Sequence, residues 1–148
     1  MSAAAPVVRR GSSADMGAVL ALLESAGLPT QDLAHIPGLR MWVAAAEDSI
    51  GGVIALQPFG TEGLLRSLAV SPARRKSGVA TTLVRQLEED ARAQGITRLT
   101  LLTETAEAFF RRLGYEKVDR AGVSEVMRQC AEFRSLCPAS ATCMSKAL

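Results

Sequence analysis

Apolar and polar residues alternate along this chain with two different periods, which predict strands and helices in turn. Short apolar runs bounded by Gly, Pro or Ser are typical of strands, and apolar residues three and four positions apart are typical of amphipathic helices. The predicted strands include residues 6–10, 41–46, 50–56, 64–70 and 142–145. One helix is predicted to begin at Ser12 or Ser13, a second at Gly78, and a third to span Val123 to Phe133. This order predicts an α/β fold with a mixed sheet.

The clearest amphipathic pair is the strand 64–70 and the helix that follows it. Strict alternation places four side chains on one face of this strand: Leu64, Arg66, Leu68 and Val70. The helix has an apolar stripe at Ala80, Leu83, Val84, Leu87 and Ala91. Its charged side, predicted to face outward, comprises Arg85, Glu88, Glu89 and Arg92. The first helix has a similar apolar face at Met16, Val19, Leu20 and Leu23.

A basic loop connects this strand to the helix, with the sequence Arg74-Arg75-Lys76-Ser77-Gly78-Val79-Ala80. A helix start exposes backbone N–H groups and the positive end of the helix dipole, so an anion binds there favourably. The small residues Gly78 and Ala80 would let a phosphate approach the backbone. The loop therefore predicts a phosphate site, although a solvated loop of surface charges would have the same composition.

Composition limits the remaining classes. The chain has 148 residues, of which 48% are hydrophobic and 22% charged, as expected for one domain, residues 1–148, with its own core. A net charge of +2 and the absence of a long basic stripe argue against nucleic acid as a partner. No apolar run is long enough for a membrane span, and the first residues do not resemble a signal peptide, so a cytoplasmic location is expected.

These features together resemble the acyl-CoA-binding core of the GNAT superfamily of N-acetyltransferases. The matching residues are the Val70-Ser71-Pro72 turn and the spacing Arg75-x-x-Gly78-x-Ala80. The resemblance continues through a strand at 99–103 and a helix from Thr105 to Leu113, closed by Gly114-Tyr115. It implies a largely antiparallel mixed sheet of six to seven strands flanked by helices, with acetyl-CoA as co-substrate.

The resemblance also implies roles for individual residues. The backbone of Leu68, Ala69 and Val70 would contact the thioester carbonyl and the pantetheine arm, and the loop from Arg74 to Ala80 would hold the phosphates. Two positions depart from the common pattern, because Phe110 replaces the tyrosine that often serves as general acid, and Leu64 replaces a frequent glutamate. Phe110 would still contact the cofactor, but a phenyl ring cannot donate a proton.

One branch of the superfamily, the acetyltransferase domain of bacterial N-acetylglutamate synthase, is similar at Leu65 to Val70 and at Thr103-x-Thr105-Ala106. That similarity implies that Arg66 holds the carboxylate of the acyl acceptor, with Ser67 and Thr103 beside it. A guanidinium suits a planar carboxylate. The alternative is a partly exposed strand arginine paired with Glu62 or another acid.

Two residues are candidates for a general base. Glu104 follows the strand expected to flank the cleft, and His35 lies in a loop of the region that often covers the acceptor. In the alternative interpretation, Glu104 helps to cap the next helix with Thr103 or Thr105, and His35 is an ordinary surface residue.

All three cysteines, Cys130, Cys137 and Cys143, fall near the C-terminal end. Buried thiols without a special role are the usual interpretation, and three converging thiolates that bind trivalent arsenic are the alternative. Residues 132–141 resemble the ending of GNAT proteins associated with arsenic resistance, which implies an organoarsenical or related amino acid as acceptor.

The sequence thus predicts an N-acetyltransferase of a small amine, acting in arsenic resistance. A non-catalytic acyl-CoA sensor and an arsenic-binding protein are the alternatives. The connection from Asp119 to Pro138 would cover the acceptor cleft, form a homodimer contact, or be a simple surface insertion.

Overall fold

The computed structural model describes residues 6–28, 30–33, 36, 38–46, 49–74, 78–130, 133 and 140–148. The strands are β1 (Val7–Arg10), β2 (Arg40–Ala46), β3 (Ser49–Phe59), β4 (Glu62–Val70), β5 (Arg98–Thr103), β6 (Glu116–Lys117) and β7 (Thr142–Ala147). The α-helices are α1 (Met16–Ser25), α2 (Val79–Ala93), α3 (Glu107–Arg112) and α4 (Glu125–Arg128).

The described strands form one sheet in the order β1-β2-β3-β4-β5-β7-β6. Only β4 and β5 pair in parallel, because α2 crosses over between them, and the other neighbours are antiparallel. The predicted mixed, largely antiparallel sheet is therefore confirmed. The two-residue strand β6 is too short to leave an alternation in the sequence and was not predicted.

A β-bulge interrupts β4 at its centre. The register against β3 shifts so that Ile54 faces two residues of β4, Ser67 and Leu68. Ser67 has a φ of 60°, in the left-handed region that non-glycine residues rarely adopt. A single extra residue moves every later side chain of the strand to the opposite face.

The predicted facing of β4 is wrong for this reason. Leu68 contacts the same apolar cluster as Leu65, whereas Leu64 belongs to a cluster on the other side of the sheet. Arg66 pairs with Ala55 of β3 and shares a face with it. The bulge thus separates Leu64 and Arg66 from Leu68 and Val70, which strict alternation had put together.

Helices cover both faces of the sheet. Buried residues of α2, the end of α3 and one face of the strands form the largest cluster, which includes Trp42, Leu83, Leu87, Leu101 and Met144. On the opposite face, α1 packs through Val19 and Leu23 against β3 and β4, as its apolar stripe predicted.

The described part of the connection between β6 and β7 covers the second face of the sheet near β4. Met127 of α4 is fully buried, and with Val123 it packs against Leu64 and Cys143. The described part of this connection is therefore integral to the core rather than a simple surface insertion. The helix predicted from Val123 to Phe133 is shorter: Ser124 caps it by accepting a hydrogen bond from Met127 N, and it ends at Arg128.

A buried charge network joins α2 to β7. Glu88 is 1% exposed, although its position on α2 predicted an outward side chain. Its Oε2 accepts hydrogen bonds from Tyr115 Oη and Lys146 Nζ, each at 2.9 Å. Burial beside this carboxylate raises the pKa of the Tyr115 hydroxyl, which keeps that group protonated as a donor.

We expect Glu88→Ala to lower the free energy of unfolding by about 3 kcal/mol, because it leaves the Lys146 ammonium and the Tyr115 hydroxyl without their shared acceptor. Glu89→Ala, at an exposed position one residue along the same helix, is the matched control and should change stability by less than about 0.5 kcal/mol. Urea denaturation followed by circular dichroism measures both. Equal, small effects of the two substitutions would show that the buried network contributes little.

Candidate active site

A cleft opens where β4 and β5 stop pairing. Their parallel pairing covers only Glu62 to Leu64 against Arg98 to Thr100. Beyond these residues, both strands line a cavity of about 430 Å³, which α2, α3 and the residues that follow α1 help to enclose. The lining residues are Ala26, Gly27, Leu28, Leu65, Arg66, Ser67, Leu68, Ala69, Val70, Ala80, Leu101, Leu102, Thr103, Glu104, Thr105, Ala106, Phe109, Phe110 and Ala141.

The bulged end of β4 forms one wall of this cleft. Leu68, Ala69 and Val70, predicted to act through their backbone, all line it, and so do Ser67 and Arg66. A strand edge that no longer pairs with its neighbour can direct backbone N–H and C=O groups at a ligand. The predicted backbone role of these three residues is therefore compatible with where they lie.

The first turn of α2 also lines the cleft. Gly78 caps the helix with a φ of 81°, and Ala80 lines the cavity in the first turn. Val79 is buried in the core, so only its backbone could contact a ligand. Arg75, Lys76 and Ser77, three of the predicted phosphate-binding residues, lie outside the described residues.

Two adjacent glycines of β3 let Arg74 and the start of α2 approach the sheet closely. A Cβ at Gly51 would lie 2.8 Å from Arg74 Cγ, and one at Gly52 would lie 3.1 Å from side-chain atoms of Val79 and Leu83. The Ser71 N–H also donates to Gly51 O at 2.8 Å. The absence of a side chain at Gly51 thus leaves room for the Arg74 side chain against β3. A glycine inside a predicted strand can indicate such a close approach.

Arg66 is buried and neutralised by a carboxylate. Its two terminal nitrogens donate to the two oxygens of Asp32, at 2.8 and 2.6 Å, and Nη1 also donates to Gln57 Oε1 at 3.0 Å. The partner acid is therefore Asp32, not Glu62. Asp32 and Gln57 could not be identified from the sequence, because neither carries a local signal and only the fold brings them to Arg66.

The remaining predicted residues occupy the other wall. Phe110 is buried in edge-to-face contact with Phe109 and Tyr115, and it lines the cleft without an ionisable group. Glu104 is exposed at the cleft and is the one carboxylate among the lining residues that the structure describes. Thr103 Oγ1 accepts from Ala106 N at 3.0 Å, so α3 begins at Glu107 rather than at Thr105.

His35 and the three cysteines are the remaining residues that the sequence singled out. His35 and Cys137 lie outside the described residues. Cys143 is buried in β7, which raises the pKa of its thiol, and Cys130 packs near it. Within the described part of the chain, no group of three His, Cys, Asp or Glu residues could hold a metal ion. No helix in that part is long and apolar enough to cross a membrane.

Comparison with known proteins identifies the family. Residues 37–117, more than half of the chain, match the model of the acetyltransferase (GNAT) domain. The chain therefore belongs to the GNAT acetyltransferase family, as its motifs predicted. The comparison with curated proteins found no match.

Solved structures support the same fold. Rv2747 from Mycobacterium tuberculosis, in complex with CoA, is 26% identical with a TM-score of 0.80, and the alignment covers 97% of this chain and 99% of that one. N-acetylglutamate synthase from Neisseria gonorrhoeae, complexed with CoA and L-arginine, is 22% identical with a TM-score of 0.80. That alignment covers 98% of this chain but 34% of the synthase, so this chain spans about a third of its length.

A more distant neighbour is the ribosomal-protein-S18-alanine N-acetyltransferase from Escherichia coli, 15% identical with a TM-score of 0.74. This alignment covers 96% of this chain and 93% of that one. At such low identity the likeness shows the fold alone. The predicted use of acetyl-CoA agrees with the CoA complexes among these structures.

We expect Gly51→Ala to weaken CoA binding about tenfold, because the new methyl group displaces Arg74, one of the residues predicted to bind the phosphates. Loss of one charge-assisted hydrogen bond between Arg74 and CoA corresponds to a factor of about ten. Gly122→Ala, where an added Cβ meets nothing within 4 Å, is the matched control. Calorimetric titration with CoA measures both variants.

A double-substitution cycle isolates the Arg74 contribution. In an Arg74→Ala background the contact with position 51 is gone, so Gly51→Ala should cause no further loss of affinity. Additive losses, or unchanged CoA affinity in Gly51→Ala, would contradict the positioning role of Gly51.

Proposed function

We propose that the chain is an acetyl-CoA-dependent N-acetyltransferase whose acceptor is a small amine that carries a carboxylate. The observation that carries this proposal is the continuity of the cleft, which joins the first turn of α2, the bulged end of β4 and Arg66. Such an arrangement can hold a phosphate-bearing cofactor at one end and an anionic acceptor at the other. The CoA complexes of structural neighbours support the choice of cofactor.

The chain would bind acetyl-CoA with backbone groups and local charge. The N-terminus of α2 and Arg74 would attract the phosphates, since both are positive. Backbone groups at Leu68 to Val70 would hold the pantetheine arm and polarise the thioester carbonyl. This role does not depend on side chains, which explains why apolar residues suffice at these positions.

Acetyl transfer would proceed by direct attack of the neutral amine on the thioester carbonyl carbon. The N–C bond forms, the C–S bond breaks, and the amine proton and the thiolate must each be accounted for. Glu104 would accept the amine proton directly or through water, since it is the carboxylate at the cleft. Phe110 donates nothing, so the thiolate would take its proton from solvent.

Arg66 would orient the acceptor by its carboxylate, with Ser67 and Thr103 beside it on facing walls of the cleft. The finer proposal, an organoarsenical amino acid in arsenic resistance, rests on the sequence of residues 132–141. Most of these residues lie outside the described part of the chain, so the proposal draws its support from sequence resemblance.

A non-catalytic acyl-CoA sensor is the second candidate. Two observations favour it: Phe110 stands where a proton donor would be useful, and the Arg66 guanidinium already holds a carboxylate from its own chain. A sensor would bind CoA or its acyl forms without turnover.

Thiol release from acetyl-CoA tests the proposal, across amino acids and organoarsenical amino acids with acceptor-free controls. Transfer should require one carboxylate-bearing amine, and Arg66→Ala should raise the KM for that amine tenfold or more while changing the KM for acetyl-CoA little. Arg40→Ala, which breaks a similar bidentate pair with Asp90 on the outer part of α2, controls for general destabilisation.

CoA binding without release from any acceptor would favour the sensor. Equal loss of acceptor and cofactor use in Arg66→Ala, beyond that in Arg40→Ala, would contradict the acceptor role of Arg66.

A further inference from the structure

The guanidinium of Arg66 and the carboxylate of Asp32 form a closed pair at the acceptor end of the cleft. Both terminal nitrogens of Arg66 are engaged by the two Asp32 oxygens, in the parallel geometry that a substrate carboxylate would adopt. The Arg66 side chain is 1% exposed. A carboxylate from outside therefore cannot reach this edge of the guanidinium while Asp32 is in place.

The two partners differ in how easily each can leave. Arg66 is fixed within β4, whereas Asp32 lies outside any strand or α-helix, and its side chain is 18% exposed. A partly exposed carboxylate regains water when it separates from its partner, so the cost of moving it is low compared with a buried one. Glu88, at 1% exposed, shows the contrasting case of a carboxylate confined within the core.

We propose that Asp32 is an internal competitor of the acceptor: it occupies the carboxylate position on Arg66 in the acceptor-free protein, and the acceptor binds by displacing it. This inference rests on the proposed acceptor role of Arg66. Exchange of one carboxylate for another keeps the buried guanidinium paired throughout. The acceptor-free protein thereby avoids the free-energy cost of leaving the buried charge of Arg66 unpaired.

The exchange also selects among acceptors. An amine without a carboxylate, such as an amino-acid amide, has nothing to replace Asp32 on Arg66 and leaves the pair closed. A carboxylate-bearing amine competes directly, so its KM includes the free energy needed to separate Asp32 from Arg66. Asp32 is therefore a specificity-determining residue that lowers affinity for the correct acceptor while it excludes neutral ones.

Asp32→Asn tests the proposal, because it keeps the shape of the side chain and removes its charge. We expect the KM for the carboxylate acceptor to fall about tenfold, as for loss of a charge-assisted contact in the competing state, while the KM for acetyl-CoA stays unchanged. Asp90→Asn, which removes the carboxylate of the Arg40 pair, is the matched control and should leave both values unchanged. An unchanged or raised acceptor KM in Asp32→Asn would show that Asp32 only anchors its segment, and would overturn the proposal.

Thermal denaturation gives a second readout that needs no turnover. Replacing sodium chloride with sodium acetate at constant ionic strength should raise the Tm of Asp32→Asn, because acetate can fill the position on Arg66. Wild type, in which Asp32 already occupies this position, should show a smaller rise. Absence of acetate stabilisation in Asp32→Asn would count against exchange even if the wild-type protein acetylated no acceptor at all.

Gln57→Glu provides a variant with the opposite expected sign and removes no partner of Arg66. The oxygen at position 57 that accepts from Arg66 Nη1 would then belong to a carboxylate, which would compete more strongly with the carboxylate of the acceptor. The acceptor KM should therefore rise severalfold. Failure of wild type to use any carboxylate amine would defeat the proposed function. Normal turnover with an unchanged KM in both Gln57→Glu and Asp32→Asn would defeat only the exchange.

Discussion

The site depends on one constraint, which is that β4 and β5 can pair for only three residues. Parallel pairing ends at Leu64 and Thr100, and the bulge at Ser67 turns β4 further from the regular strand path. Without that interruption the two strands would continue as neighbours and there would be no cleft. A left-handed serine and lost strand pairing both cost stability, and such costs are typical of functional sites.

Contacts outside the cleft fix the position of α2 against the sheet. On one side, Gly51 and Gly52 bring the start of α2 directly onto β3. On the other side, Glu88 accepts a hydrogen bond from Lys146 and so links α2 to β7. β7 in turn pairs with β6, the strand that follows α3. Arg40 of β2 also binds Asp90 near the end of α2 through two hydrogen bonds. Contacts along α2 thus brace the proposed cofactor end of the cleft, whereas the proposed acceptor end relies on the pair of Arg66 with Asp32, whose side chain is partly exposed.

Much of this could be predicted from the sequence, because local patterns record local structure. The strand 64–70 and the helix after Gly78 follow from apolar periodicity, whereas the contribution of Leu68 to Val70 to the cleft was implied by the resemblance to the GNAT family. The facing of Leu68 and the burial of Glu88 could not be predicted. The first depends on a bulge that one serine adopts in its tertiary context, and the second depends on Tyr115 and Lys146, which lie 27 and 58 residues away along the chain. Asp32 was invisible for the same reason, since it meets Arg66 only after a separation of 34 residues.

Binding of acetyl-CoA along the end of β4 that no longer pairs with β5 is the central claim about this protein. A crystal structure of the protein with CoA tests it most directly. We expect the pantetheine arm to lie against the backbone of Leu68 to Val70, the pyrophosphate at Gly78 and the first turn of α2, and the thiol near Phe110. CoA bound away from the space between β4 and β5, with this cleft empty, would contradict it.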